Sequence, residues 1–265
     1  MNVKEWYKNK GLERKIPIPK GFEAFGESDS LRILDEKNGN MFTCIPVNAN
    51  EFIHNDQMWY KMALQEMKQQ ALSQKVKAYC DTALDYLDLC EKSVKEYQCI
   101  FASTYAASKG ENGIPMSLPE QMPWTEISWG PSEYGTCSLN AVEVSKAMYP
   151  LEDNRTGIFS YLPGKAEIKA LLQYLFGEDE VIVKGNFSHQ ARPTGGFVQK
   201  GIADFFGNTD EWMDAFSLPD KANIVGGNYT ETADMVRKQF WNKKSIAYAP
   251  HPFIGFRVFA CIKPE

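Results

Sequence analysis

From Asp56 to Tyr97 the chain runs without one glycine or proline, although the sequence holds 19 Gly and 14 Pro in 265 residues. A stretch so free of helix breakers, bounded by segments rich in them, must be mainly helical. Trp59, Met62, Ala63 and Met67 recur at helical spacing, as do Val76, Tyr79, Cys80, Ala83, Leu87, Cys90, Val94 and Tyr97. Each set forms one apolar stripe with Lys, Gln, Asp and Glu opposite, which predicts two surface helices packing on a core or on each other. The stripes also allow a homo-oligomer or a larger assembly formed through residues 56–97.

The flanks read differently. Residues 1–15 are charged and read as a loose N-terminal arm. Ile16 to Phe22, I-P-I-P-K-G-F, is extended or turning, because proline removes a donor and restricts its predecessor. Asn38-Gly39 between the apolar runs Leu31–Leu34 and Met41–Val47 predicts a hairpin. Gln98–Tyr105 reads as a buried strand and residues 108–123 as a long loop. Trp124, Ile127 and Trp129 suggest a short edge segment. A helix from Ser138 to Met148, capped by Ser138, and another from Ala166 to Phe176 follow. Beyond Gly177, Val181–Val183, Ile224-Val225 and Phe256–Ile262 are strand candidates among loops. Helices early and loop-heavy β structure late make an α+β pattern.

A net charge of -5 and a pI near 5.4 imply no broad basic surface, so nucleic acid is not an expected partner. No run of eighteen or so apolar residues exists to span a membrane. The N-terminus lacks the apolar core of a signal peptide, which leads us to expect a cytoplasmic or virion-associated protein. The six cysteines show no C-x-x-C spacing and read as buried free thiols.

Gly201 to Trp212, G-I-A-D-F-F-G-N-T-D-E-W, packs acidic side chains around a Gly-Asn pair that suits a turn with positive φ. Asp204 and Glu211, with carbonyls freed by the turn, are the donors a hard cation such as calcium takes. On the alternative reading Asp204 caps a turn and Glu211 is solvated.

F-F-G-N-T-D-E-W, then V-G-G-N-Y, then I-G-F-R-V-F resemble in order the G-N-x-x-E-W, R-G-G-S-[WY] and G-F-R signatures of the formylglycine-generating enzyme (sulfatase-modifying factor) superfamily. P-W-T-E-I-S-W and L-P-G-K-A-E-I-K are similar to further segments of it, the latter degraded at Gly164, Lys165 and Ile168. I-P-I-P-K-G-F, N-G-N-M-F-T-C-I-P-V and the segment Ser93–Gly110 resemble a bacterial and phage-borne branch. The resemblance runs from about Ile16 onward. It implies one loop-rich, C-type-lectin-like domain over 1–265, with 56–97 as a helical insertion. It also implies a structural calcium held by Asp204, the carbonyls of Gly207 and Thr209, and Glu211.

Oxidase members of the superfamily hold copper with a cysteine pair between the second and third signatures, and Gly226–Phe256 has no cysteine here. Cys261 stands alone beyond G-F-R. Another branch binds iron through a histidine motif, and His54, His189 and His251 form no H-x-x-x-H. Neither copper nor iron is therefore expected. What remains is a mix of aromatic and adaptable polar residues on the C-terminal loops, with Asn228, Tyr229, Arg237, Trp241, Tyr248 and His251 as candidate ligand-binding residues. The expectation is a non-catalytic protein that displays these loops to a protein or glycan ligand, as a receptor-binding or virion-assembly protein does. The alternative is an oxidase or a peptide- or thiol-modifying enzyme of the superfamily with an altered metal site.

Overall fold

The computed structural model describes residues 16–26, 30–53, 57–130, 139–177, 179–218, 221–241 and 243–265. Residues 1–15, His54, Cys137 and Ser138 lie outside them, so the readings that rest on these positions do too.

The chain begins with two hairpins, β1 (Phe22–Gly26), β2 (Leu31–Asp35) and β3 (Met41–Pro46). The turn predicted at Asn38-Gly39 is present. Gly39 takes φ 74°, and the Asp35 carboxylate accepts from the Lys37 and Asn38 amides at 2.9 and 3.3 Å. A short helix α1 (Ala49–Phe52) leads to the stretch free of glycine and proline, which holds two helices, α2 (Met58–Gln70) and α3 (Gln74–Tyr97). Ser73 caps α3 by accepting from the Val76 amide at 3.2 Å, and Gln98 closes it in the left-handed region.

The second stripe is placed as predicted: Val76, Tyr79, Cys80, Ala83, Cys90 and Val94 are buried. The first is rotated. Leu64 is the buried side chain of α2, with Tyr60 and Met67 packed beside it, whereas Trp59 is 65% exposed and Met58 and Met62 point outward. Lys61 bridges to Asp88 and Glu91 across the helix pair, so α2 is held to α3 by charge as well as by its narrow apolar seam.

β4 (Cys99–Ser103) returns to the hairpin sheet. Helix α4 is Ala141–Met148, and its cap is Asn140, whose side chain accepts from the Glu143 amide at 2.9 Å. The chain then continues through β5 (Ile158–Tyr161) and α5 (Lys165–Phe176). Val181–Val183 forms no strand; a two-residue pairing of Gly185–Asn186 with Phe206–Gly207 takes its place. β6 (Asp210–Leu218) and β7 (Lys221–Gly226) form a bulged hairpin, followed by α6 (Ala233–Gln239) and β8 (Lys243–Ile246). The run from Phe256 to Ile262, read as one strand, is divided between β9 (Ile254–Phe256) and β10 (Phe259–Ile262). Trp124, Ile127 and Trp129 are buried, and Ser128 makes only an isolated bridge to Asn140, so this segment is core filling and not an edge strand.

The strands form a six-stranded antiparallel sheet, β1-β2-β3-β4-β10-β5, and a four-stranded mixed sheet, β8-β7-β6-β9. Side chains alternate across a strand, and both faces of the larger sheet are covered. Phe42, Cys44, Phe101 and Ala260 enter one apolar cluster, while Ile45, Ile100, Phe159 and Phe259 enter the other. The result is an α+β protein rich in loops. Among the described residues no helix is long and apolar enough to cross a membrane.

Candidate functional site

β9 belongs to the four-stranded sheet and β10 to the six-stranded one, so Arg257, between them, sits where the backbone changes sheets. Its side chain is fully buried and all of its donors are directed at protein oxygens. Nε and Nη2 donate to the two carboxylate oxygens of Glu211 at 3.1 and 2.8 Å. Nη1 donates to the Ser103 and Thr104 carbonyls at 2.8 and 2.9 Å, and Nη2 to the Ala203 carbonyl at 2.8 Å. The planar fork matches a carboxylate bidentately and keeps its charge in any environment. It joins the end of β4, the loop at Ala203 and strand β6. Burial pushes the Glu211 carboxyl up, and the Arg257 charge opposes that shift.

The neighbouring loop turns as the sequence predicted. Gly207 and Asn208 take φ values of 73° and 63°. Asp204, itself at φ 50°, accepts amide hydrogens from Gly195 at 2.6 Å and Gly196 at 3.2 Å on Oδ2, and from Phe197 at 2.8 Å on Oδ1. Three converging amides form a nest that neutralises a carboxylate with partial charges. The Asn208 side chain ties the Arg192 amide and carbonyl at 2.8 and 2.9 Å.

Asp204, Gly207, Thr209 and Glu211 thus share one buried loop, but they do not fit a calcium ion. Calcium takes six to eight oxygens at coordination distance. Both oxygens of Glu211 face a guanidinium, whose positive charge would lie beside the ion. Both oxygens of Asp204 face amide hydrogens, and the Gly207 carbonyl accepts from the Thr209 amide at 2.8 Å. Among the described residues no group of three His, Cys, Asp or Glu is placed to hold a metal.

Asp210, next in the chain, is buried against Lys243, and the Asn228 carboxamide donates to its Oδ2 at 2.7 Å. Lys243 also pairs with Glu231 at 2.7 Å, and Glu231 accepts from the Asn228 amide at 3.0 Å. Asn228 is therefore a buried tie and not a contact offered to solvent.

Tyr229 and His251 are brought to one partner, Phe253. Its ring lies 5.4 Å from Tyr229 and 5.2 Å from His251, all three half-buried. Backbone bonds suspend this cluster from the braced loop. The Asp210 amide donates to the Phe253 carbonyl at 3.0 Å, and the Tyr229 amide to the Asn208 carbonyl at 3.2 Å. The His189 amide reaches the Tyr229 carbonyl at 2.9 Å. Beside it, Asn186, Arg192, Phe187 and Phe197 line a cleft of about 480 Å³. Arg237 instead pairs with Asp234 on the outer face of α6, and Trp241 packs against the second apolar cluster. Tyr248 follows β8 and is half-buried.

Sequence reasoning gave no role to Arg257 or Lys243. A lone cation inside I-G-F-R-V-F-A-C-I was the available signal, because a charge in a buried run needs a buried partner. Cys261, solitary in sequence, has company in space. Its thiol lies 3.3 Å from the Tyr161 hydroxyl, and Cys90 of α3 faces it. Burial, followed by the bond to Cys261, pushes the Cys90 thiol well up, so that thiol stays neutral in the apolar layer.

No protein-family model and no curated protein matches the sequence. Among solved structures, PvdO from Pseudomonas aeruginosa is similar at 14% identity and a TM-score of 0.41, over 63% of this chain and 82% of that one. CarF is similar at 13% identity and a TM-score of 0.31, over 98% of this chain and 81% of that one.

Proposed function

We propose that this chain is a divergent member of the formylglycine-generating enzyme superfamily, with its C-type-lectin-like fold, that works as a non-catalytic binding protein. The ordered signatures around Trp212, Gly226-Gly227 and Arg257 support the family reading. The observation that carries the functional reading is the Tyr229–His251–Phe253 cluster, half-exposed and suspended from a loop braced by Arg257, Glu211 and Asp204. Rigid aromatics beside adaptable polar groups are what recognition surfaces use, because little entropy is lost when they engage. The ligand is a protein or glycan, in the manner of a phage receptor-binding or virion-assembly protein, and the setting is the cytoplasm or the virion.

The cleft lined by Arg192 and Asn186 is a second recess, bordered by Asp204 and Asn208 of the same loop. A glycan array probed with the wild type and with Tyr229→Ala/Phe253→Ala is expected to give signals that the double variant loses. Signals unchanged in that variant would place recognition elsewhere.

One observation favours the alternative enzyme reading, the meeting of Cys90 and Cys261, since two thiols are the minimum a soft ion needs. Elemental analysis of purified protein separates the two. Stoichiometric copper or iron would overturn the binding reading.

A further inference from the structure

A second group of buried acids lies beneath the helical insertion. Asp214 of β6 accepts on one oxygen from the Tyr60 hydroxyl of α2 at 2.8 Å and the Tyr79 hydroxyl of α3 at 2.6 Å, and the two hydroxyls are 2.9 Å apart. Glu167, in the first turn of α5, is buried next to Asp214 and accepts from the Gly164 amide at 3.0 Å. Beside Glu167 lies the carboxamide of Gln57, the residue that precedes α2. It is buried, and neither its oxygen nor its nitrogen has a hydrogen-bond partner among the described residues.

One cation serves the cluster. The Lys146 ammonium of α4 is buried without a hydrogen bond among the described residues, 5.9 Å from the ring centre of Tyr79 and 5.0 Å from that of Tyr86. Lys146 and Glu143 are the further charges that face Asp214. Cys90 and Tyr161 adjoin Glu167 from the other side, and both are neutral.

Two carboxylates side by side in an apolar layer with a single ammonium do not both ionise readily. Asp214 has two hydroxyl donors and Lys146; among the described residues no cation acts on Glu167. Burial pushes the Glu167 carboxyl up to about 7; the Glu167 and Gly164 amides and the Gln57 carboxamide oppose the shift, and the Asp214 charge adds to it.

We propose that the seating of α2 and α3 on the core is linked to one proton on Glu167. When bound, that proton removes one of the two negative charges buried beneath α2 and α3. Asp214, held by the Tyr60 and Tyr79 hydroxyls, is then the one buried anion of this cluster among the described residues. When the proton leaves, a second anion without a counter-ion sits under the insertion, and the structure relieves it by letting Gln57 and the start of α2 move apart and admit water. The outward Met58, Trp59 and Met62 face moves with them. This inference does not rest on the binding reading of the aromatic cluster.

Hydrogen exchange of the full chain at about pH 5.5 and about pH 8.5, corrected for intrinsic rates, tests the link. Protection of α2 is expected to fall about tenfold at the higher pH while β4 and β10 change less. In Glu167→Gln, which keeps the shape and a donor but cannot ionise, α2 protection should be equal at both values. Equal protection in the wild type, or a fall that persists in Glu167→Gln, overturns the proposal. Should that variant not fold, the carbon-13 carboxyl titration of Glu167 in the wild type decides: a midpoint within about one unit of 7 upholds it, and one near the ordinary glutamate value overturns it.

Discussion

Glu211 and Glu167 are both almost fully buried acids at the boundary between a sheet and its neighbours, yet their surroundings differ. Glu211 faces a guanidinium that is itself hydrogen-bonded on every side and cannot lose its proton. Glu167 faces two backbone amides, the Gln57 carboxamide and a second acid, and the nearby ammonium serves that second acid. Burial alone decides neither outcome. A buried acid becomes a fixed brace when it has its own permanent counter-charge, and a proton-sensitive joint when it does not.

The sharpest way to break this contrast is to remove the brace's cation. Arg257→Met leaves Glu211 buried without a partner, and breaking a buried pair costs roughly 3–5 kcal/mol, read by urea unfolding. Adding Glu211→Leu to that variant should restore a large part of the loss, because the uncompensated charge is then gone.

The joint is next in size. The folded-state pKa of Glu167 lies above its unfolded value, so the folded chain holds the proton more tightly. That stability is fully present below about 4.5 and is lost as pH rises through about 7. On this group alone unfolding free energy falls by roughly 3 kcal/mol between about pH 4.5 and pH 8, and Glu167→Gln should flatten the profile.

Asp204→Asn comes third. The amide side chain tolerates the positive φ but removes the charge that three backbone amides converge on, for a loss of about 1–3 kcal/mol in the same unfolding assay. The smallest stability effect belongs to Tyr229→Ala with Phe253→Ala, about 1 kcal/mol for the lost ring pair, with an unchanged near-ultraviolet signature of the core tryptophans. A large loss there would mean that the cluster is core and not display surface.

The regular parts of the fold were legible because local chemistry dictates them. The hairpin at Asn38-Gly39, the stripe of α3 and the Gly207-Asn208 turn all follow from spacing and backbone preference. The face of α2 was not, since Trp59 and Met62 are as apolar as Leu64 and Met67. What orients the helix is the Tyr60 hydroxyl seeking Asp214, a partner far along the chain. Phe256–Ile262 read as one strand because apolarity does not mark where a chain leaves one sheet for another. The acids of the 201–212 loop were found, but their partners were not: the amides of 195–197 and the guanidinium of Arg257 are brought in by tertiary structure. Of the six surface candidates, Tyr229 and His251 both pack on Phe253, while Asn228 turns inward to Asp210.

The central claim is that protein groups alone brace the loop behind the aromatic surface, in the place where the family resemblance implies calcium. Thermal unfolding of metal-stripped protein, with excess calcium and with a chelator, tests it most directly. Identical melting temperatures in the two conditions are predicted. A melting temperature that rises with calcium in the wild type, and no longer does so in Asp204→Asn, would contradict it.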